Sequence, residues 1–297
     1  MSEEAEKAGP DTVGSLIAEA RQRFAAAGLA DPATDARVLV SGLLRLSATA
    51  VVLGANQPVD AEQAIVVRSA IDRRAVREPV HRILGERDFY GLTLKLSPET
   101  LEPRPDTEIL VDAILPHLRR VAAKKGGALI LDLGTGSGAI ALALLKECET
   151  AQATGTDISA GALTIAANNA YLNGVGERFE VLESAWFEKI EERHFDIIVS
   201  NPPYIPTKVV QALEPEVRDF DPERALDGGQ DGLFAYRAIA DNAVSHLAEG
   251  GVVGLEIGYD QKQPVTQIFE AKGFSLLDAR QDYGGNDRVL LFHPRRT

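Results

Sequence analysis

The sequence predicts an α/β protein in which a small group of helices precedes a mostly parallel, doubly wound sheet. Two patterns lead to this prediction. Beyond about residue 128, short apolar runs typical of buried strands alternate with helical segments, which favours parallel strands joined by right-handed crossovers. From Asp11 to Ala75 the apolar residues instead recur with the spacing of one helix face. We therefore expect a helical domain over residues 1–78, a connector over 79–105 and an α/β domain over 106–297.

Composition limits the classes of protein to which the chain can belong. Its 297 residues carry a formal net charge of −13, which argues against stable binding to nucleic acid, because neutralising phosphates needs a basic face. The single cysteine, Cys148, cannot form an internal disulfide and fits a reducing compartment. The five histidines lack ligand spacing, so no metal site is expected. With no stretch of about 18 apolar residues, we expect a cytoplasmic protein that stays out of membranes, and a monomer.

The first predicted domain is a helical bundle without a chemical motif. Helix starts are indicated by Asp31 before Pro32, and by Asp60 three residues before Gln63. The bundle could hold a macromolecular partner or serve only as a structural cap. Its one basic cluster could be a solvated helix face, which we prefer, or a docking patch; it comprises Arg68, Arg73, Arg74 and Arg77.

The predicted connector changes from helical to alternating spacing. Leucines at 92, 94 and 96 alternate with polar residues after Gly91, which indicates a β-hairpin. Prolines at 98, 103 and 105 then indicate an extended stretch that leads, through Arg104 and Asp106, into a helix over residues 107–118.

A glycine-rich loop opens the predicted sheet. Residues 128–133 read as a strand, a helix is predicted over 139–147, and the loop between them is Gly134, Thr135, Gly136, Ser137 and Gly138. Glycines allow a ligand close to the backbone, and free N–H groups at a helix start favour an anionic group. The next strand ends at Asp157, which is well placed to accept both hydroxyls of a ribose. Together these features indicate a cofactor that carries adenosine.

The remaining chain continues the alternation. Helices are predicted near 163–173 and 233–247, and strands near 179–182, 195–199, 252–257, 274–277 and 288–292. Trp186 follows the third strand, where an adenine ring would rest, and packing in the core is an equally good interpretation.

Asn201, Pro202, Pro203 and Tyr204 follow the apolar strand at 195–199 and form the predicted reaction site. Ligands of open α/β sheets bind at the carboxyl ends of the strands. The Asn201 side-chain oxygen and the Pro202 carbonyl can each accept a hydrogen bond from an NH2 group, and the Tyr204 ring can stack on its plane. This pattern suggests methyl transfer to a planar amine; the alternative is an ordinary proline-rich loop.

Taken together, these residues resemble the HemK/PrmC family, the protein-(glutamine-N5) methyltransferases that act on peptide chain release factors. The resemblance covers nearly the whole chain. Its most specific blocks are PVHRILGERDFYG (79–91), PRPDTE (103–108), DLGTGSG (132–138), SNPPYIP (200–206), EVRDFDPERALDGGQDG (216–232), LEIG (255–258) and DYGGNDRV (282–289). Two positions depart from the family pattern: Ala185 stands where relatives often have an acid, and Glu102 where an aliphatic residue is expected.

The resemblance implies a class I, Rossmann-like domain with a seven-stranded sheet that binds S-adenosylmethionine, behind a helical substrate-docking domain. It places the cofactor contacts on Gly134 to Gly138, Asp157, Trp186 and Asn201, and the acceptor site on Asn201 to Tyr204. The implied reaction methylates the glutamine of a Gly-Gly-Gln motif in a release factor.

Two other functions share parts of this pattern. A nucleic-acid amino methyltransferase would use the same Asn-Pro-Pro-Tyr on a flipped base, against which the acidic charge argues. A catalytically silent cofactor-binding module is disfavoured by the intact Asn201 and Tyr204. A nicotinamide dehydrogenase is a more distant reading, since the glycine spacing differs from G-x-G-x-x-G.

Overall fold

The computed structural model describes residues 10–295, which divide into two compact units at Gly85 and Glu86. The predicted domain boundaries at residues 78 and 105, and the docking role of the helical part, stay predictions. Within residues 10–295, none of the helices combines the length and apolar character needed to cross a membrane.

The first unit is the predicted helical bundle. Its helices are α1 (Val13–Ala26), α2 (Pro32–Leu44), α3 (Ala48–Leu53), α4 (Ala61–Ala75) and α5 (Val80–Leu84). Four of them begin at a side chain that accepts a hydrogen bond from the N–H three residues later, which satisfies one donor of the first turn. These caps are Thr12, Asp31, Ser47 and Asp60. The helix faces meet in a separate core that includes Leu16, Phe24, Leu39 and Ile71.

Two arginines of the basic cluster form ion pairs with other elements of this unit. Arg68 donates to Asp11 and to Glu19, at 2.6 and 3.0 Å. Buried Arg74 donates through Nε to Asp35 at 2.9 Å, which joins α4 to α2. These arginines therefore link the elements of the bundle.

The second unit begins with the predicted hairpin, β1 (Glu86–Phe89) and β2 (Leu92–Lys95). Tyr90 and Gly91 form its turn and both have positive φ, 50° and 72°, as two-residue turns that match strand twist require. Glu102, the unexpected acid after the hairpin, is buried and forms an ion pair with Arg87 of β1. This pairing accounts for an acid at that position.

The main sheet has seven strands, as predicted. They are β3 (Ala128–Leu133), β4 (Ala151–Asp157), β5 (Phe179–Glu183), β6 (Phe195–Ser200), β7 (Leu247–Glu256), β8 (Phe274–Gln281) and β9 (Asp287–Pro294). Their spatial order is β5-β4-β3-β6-β7-β9-β8. Neighbouring strands from β5 to β7 are parallel, and β9 runs antiparallel to both β7 and β8. The expectation of a mostly parallel sheet is confirmed.

Helices cover both faces of this sheet. They are α6 (Glu108–Lys125), α7 (Ala139–Glu147), α8 (Ala160–Leu172), α11 (Phe234–His246) and α12 (Lys262–Ala271), with two short helices between β6 and α11, α9 (Thr207–Val210) and α10 (Pro215–Arg218). Successive strand residues belong to opposite cores: Ile130 packs with α6 and α7, whereas Leu131 packs with α11 and α12. The sequence interpretation missed α12, whose apolar stripe is only Val265, Ile268 and Phe269.

Two asparagines, Asn169 of α8 and Asn173 at the C-terminal cap of that helix, hold the hairpin against the second unit's core. Fully buried Asn169 accepts from the Lys95 N–H at 2.8 Å and donates to the carbonyls of Lys95 and Ser137 at 3.1 and 2.9 Å. One turn later, half-buried Asn173 makes the same two bonds to Thr93. The two side chains thus provide the hydrogen bonds that a neighbouring strand would make with the backbone of β2. Asn169 also contacts the glycine-rich loop through the Ser137 carbonyl.

Asn169→Ala is expected to lower the free energy of unfolding by about 2 to 4 kcal/mol, because it leaves the buried Ser137 carbonyl and the partly buried backbone groups of Lys95 without partners. Urea denaturation measures this loss. Asn173→Ala is the matched control and should cost about 1 kcal/mol or less, since water reaches that position. Equal losses in the two variants would contradict the role of burial.

Candidate active site

The predicted site residues come together at the carboxyl ends of the central strands. The glycine-rich loop follows β3, Asp157 ends β4 and Asn201 follows β6. Because β3 pairs in parallel with both β4 and β6, these ends lie side by side. The structure therefore forms one cleft edge from segments far apart in the sequence, at the point where the strand order reverses.

The glycine-rich loop presents bare backbone to this edge. Gly134 and Gly136 have positive φ, 68° and 56°, and a Cβ added to either would project into open space. The loop is fixed from behind by the Thr135 N–H, which donates to the Thr156 carbonyl at 2.8 Å. Space beside exposed backbone suits a cofactor that approaches the chain closely.

Asp157 is held by two backbone N–H groups. Gly136 donates to its Oδ2 at 3.0 Å and Ser159 to its Oδ1 at 2.9 Å. Burial raises the pKa of Asp157, and these hydrogen bonds oppose that rise. Each carboxylate oxygen has a second lone pair, so the group can still accept the two hydroxyls of a ribose. The geometry is compatible with the predicted role, which stays a prediction.

Asp132, the last acid before the loop, has one unsatisfied oxygen. Its Oδ2 accepts from the Thr135 hydroxyl at 2.7 Å and from the Ala141 N–H at 3.3 Å, whereas buried Oδ1 has no partner among the described residues. Burial raises the pKa of Asp132 to about 7. An orphaned acceptor next to the loop suits a cofactor with an ammonium group, such as the methionine part of S-adenosylmethionine. The sequence interpretation included this acid in the DLGTGSG block but assigned it no contact with the cofactor.

Trp186 lies beyond β5 with an unusual backbone. Its φ is +50°, which is uncommon for a residue with a large side chain. Its ring is partly buried and packs against the core on the α11 side of the sheet. Ser184 supports the turn by donating its hydroxyl to the Trp186 carbonyl at 3.3 Å. Core packing is thus part of its environment, and contact with adenine stays a prediction, as does the effect of Ala185.

Asn201 is connected to two residues that the sequence interpretation did not assign. Its Nδ2 donates to Thr107 Oγ1 at 3.3 Å, and the Thr107 hydroxyl donates to Glu256 Oε2 at 2.6 Å. Within residues 10–295, neither Asn201 Oδ1 nor the Pro202 carbonyl accepts a hydrogen bond. Thr107 and Glu256 belong to the PRPDTE and LEIG blocks of the resemblance, and this membership is the signal that could have identified them.

Two later segments of the chain support the Pro-Pro-Tyr segment. The Tyr204 carbonyl accepts from Gln261 Nε2 at 2.9 Å, and Ile205 exchanges backbone hydrogen bonds with Leu226 and Gly228. A Cβ on Gly228 would lie 2.8 Å from the Pro203 carbonyl oxygen, so this close approach needs glycine. Burial raises the pKa of Tyr204 to about 12, so the ring is uncharged at neutral pH.

Comparison with known proteins agrees with this architecture. Residues 107–214 match the family model of the methyltransferase small domain, and residues 15–85 match that of the PrmC N-terminal domain. A methyltransferase from Pyrococcus furiosus has a similar fold, with a TM-score of 0.51 and 20% identity over 78% of this chain and 96% of that one. The fold and the site define a class I methyltransferase that depends on S-adenosylmethionine.

Two relatives narrow the class to a family. The release factor glutamine methyltransferase of Agrobacterium fabrum is 58% identical over 96% of this chain and 98% of its own length. The protein of the same name from Rhodospirillum rubrum is 43% identical over 95% of this chain and 85% of its own. The chain belongs to the release factor glutamine methyltransferases, the HemK/PrmC family, as the sequence motifs predicted.

Asp157→Ala should weaken binding of S-adenosylmethionine by about 1.5 to 3 kcal/mol, because charged hydrogen bonds to the ribose are lost. Isothermal calorimetry measures the affinity. Glu183→Ala is the control: this exposed acid lies opposite Asp157 in β5, and its removal should leave the affinity unchanged. An unaltered affinity in Asp157→Ala would place the ribose elsewhere.

Proposed function

We propose that this protein transfers the methyl group of S-adenosylmethionine to the side-chain amide nitrogen, N5, of the glutamine in the Gly-Gly-Gln motif of peptide chain release factors. The observation that carries the proposal is Asn201: its Nδ2 is engaged by Thr107, while Oδ1 and the Pro202 carbonyl remain available as acceptors beside the glycine-rich loop. Two acceptors on one edge match the two N–H bonds of a primary amide. A monomer located in the cytoplasm is part of this proposal.

The chemistry requires orientation more than acid or base catalysis. An amide nitrogen is a poor nucleophile, because its lone pair is delocalised into the carbonyl. Asn201 and Pro202 hold both N–H bonds away from the line of attack, and these hydrogen bonds strengthen as the nitrogen becomes positive. Bound S-adenosylmethionine would supply the methyl group from its sulfonium and leave as S-adenosylhomocysteine, and the methylated nitrogen would then lose its extra proton to water. Holding the nitrogen in line with that methyl group provides much of the remaining acceleration.

Tyr204 completes the acceptor position. Its ring is half-buried and packs against the core on the α11 side, and Gln261 donates to its carbonyl, so we assign its flat surface to the acceptor amide. A planar amide can stack on such a surface, whereas a tetrahedral ammonium group of lysine cannot. The site therefore favours an amide or an amino-substituted base over an aliphatic amine.

The identity of the acceptor comes from the relatives named release factor glutamine methyltransferase. Glycines next to the acceptor glutamine are consistent with a narrow cleft, since side chains there would obstruct entry of the amide. The chain's own Gly228-Gly229-Gln230 has a structural explanation, because Gly228 packs against the Pro203-Tyr204 backbone. Gly228 thus supports the backbone of the proposed acceptor position.

Incubation of the enzyme with S-adenosylmethionine and a release factor should add a single methyl group to the glutamine of the Gly-Gly-Gln motif. Mass spectrometry of the digested release factor locates the added 14 daltons, roughly the mass of one CH2. A release factor in which that glutamine is replaced by asparagine should react far more slowly, because its nitrogen is drawn back by one methylene. An unmodified release factor alongside methylated DNA or RNA would favour a nucleic-acid amino methyltransferase.

Asn201→Ala should lower kcat by roughly a hundredfold or more, since it removes a hydrogen bond that strengthens in the transition state. The affinity for S-adenosylmethionine should stay within a few fold of that of the unmodified enzyme, because most cofactor contacts are assigned to other residues. Steady-state kinetics and calorimetry measure the two quantities. Near-normal turnover would remove Asn201 from the acceptor site.

A further inference from the structure

Glu256 is a fully buried acid whose side chain interacts with both Thr107 and Asn201. It ends β7, its side chain is 1% exposed, and its Oε2 accepts the Thr107 hydroxyl at 2.6 Å. Thr107 ends a 3-10 turn (Pro105–Thr107) and is 4% exposed. Asn201 is the third member, through Nδ2 and Thr107 Oγ1 at 3.3 Å. Three separate segments thus build a hydrogen-bonded chain that begins at a buried carboxylate and ends at the acceptor site.

We propose that Thr107 and Glu256 are positioning residues that fix the side-chain amide of Asn201 with its oxygen toward the acceptor nitrogen. This role rests on the proposed function, in which Asn201 Oδ1 accepts a hydrogen bond from an NH2 group. Neither residue touches the acceptor or the cofactor in this scheme; each acts through Asn201.

The direction of the hydrogen bonds explains the effect. The two faces of an asparagine amide have nearly the same shape, so packing alone barely distinguishes oxygen from nitrogen. A threonine hydroxyl has one proton, and an ionised Glu256 can only accept it. The Thr107 oxygen must then act as an acceptor, so the Asn201 NH2 group faces it and Oδ1 faces the other way. A reversed amide would present NH2 to the NH2 of the substrate.

The charge of Glu256 depends on its surroundings. The hydrogen bonds from Thr107 and Asn201 and the charge of Arg288 favour the ionised form, whereas Asp106 of the 3-10 turn disfavours it. The phenols of Tyr204 and Tyr236 also face this region. Burial is the largest influence and raises the pKa of Glu256 to about 7. A protonated Glu256 can donate to Thr107, which releases the threonine proton for Asn201 and removes the preference between the two amide orientations.

The first test compares two substitutions of Thr107 in the full-length enzyme. Thr107→Val keeps the shape and removes the hydroxyl, and should lower kcat by about ten- to a hundredfold with KM and cofactor affinity within about threefold. Thr107→Ser keeps the hydroxyl and should restore kcat to within about threefold of the unmodified enzyme. The control is Thr154→Val, which removes another buried threonine hydroxyl bonded to a glutamate, Glu180, and should leave kcat within about twofold.

The second test is the pH profile, measured on enzyme whose folding is verified by thermal melting at each pH. In the unmodified enzyme kcat should fall as the pH decreases through about 7, because Glu256 becomes protonated. In Glu256→Gln, which cannot ionise, kcat should be lower by about tenfold and lose this dependence between roughly pH 6 and 8. The profile separates a positioning role from a loss of stability. A loss of stability would lower the melting temperature of Glu256→Gln but would leave the pH dependence of kcat in place.

Several outcomes would overturn the positioning role. One is a normal kcat in Thr107→Val, and another is a kcat in Thr107→Ser as low as that of Thr107→Val. The third is a pH profile of Glu256→Gln that runs parallel to that of the unmodified enzyme. Failure of the proposed function is distinct, since the unmodified enzyme would then leave the release factor glutamine unmodified. If the unmodified enzyme methylates a nucleic-acid base instead, kcat of each variant relative to the unmodified enzyme is measured with that base. These ratios then decide the role of Thr107 and Glu256.

Discussion

The parallel pairing of β3 with β6 is the interaction on which the site depends. Asp132 of β3 lies opposite Val199 of β6, so both strands end at the same level. The buried Ser200 hydroxyl then donates to the Leu133 carbonyl at 2.6 Å and ties the two ends together. Because the glycine-rich loop and Asn201 begin directly after these residues, this pairing brings the assigned cofactor and acceptor positions side by side.

Buried carboxylates at these strand ends reduce stability. Burial raises the pKa of both Asp132 and Glu256 to about 7, so each binds its proton more tightly in the folded than in the unfolded chain. Tighter proton binding therefore stabilises the folded chain fully below about pH 4, and this stabilisation is lost as the pH rises through about 7. Near neutral pH the fold carries two acids that are costly to ionise. Retaining such groups next to a cleft is typical of positions kept for function.

Segments that are irregular in the sequence become rigid through distant partners. Arg104 of the extended stretch donates to buried Asp221 at 2.6 Å, and Gln261, at the start of α12, donates to the carbonyls of Tyr204 and Gly232. Each of these contacts joins a loop of the site to a residue far along the chain. The proposed acceptor position is thus supported by contacts from several segments.

Short-range patterns in the sequence determined the elements and much of the site. Apolar runs of five or six residues predicted β3 and β6, glycine spacing predicted the loop, and the family blocks identified the methyltransferase. Only the tertiary structure decided which polar groups meet: Asn169 with the hairpin backbone, Glu102 with Arg87, and Glu256 with Thr107. Helix and strand periods arise within a few residues, whereas these pairs depend on strand order and crossing connections. A buried acid and its partner have no spacing in the sequence that links them.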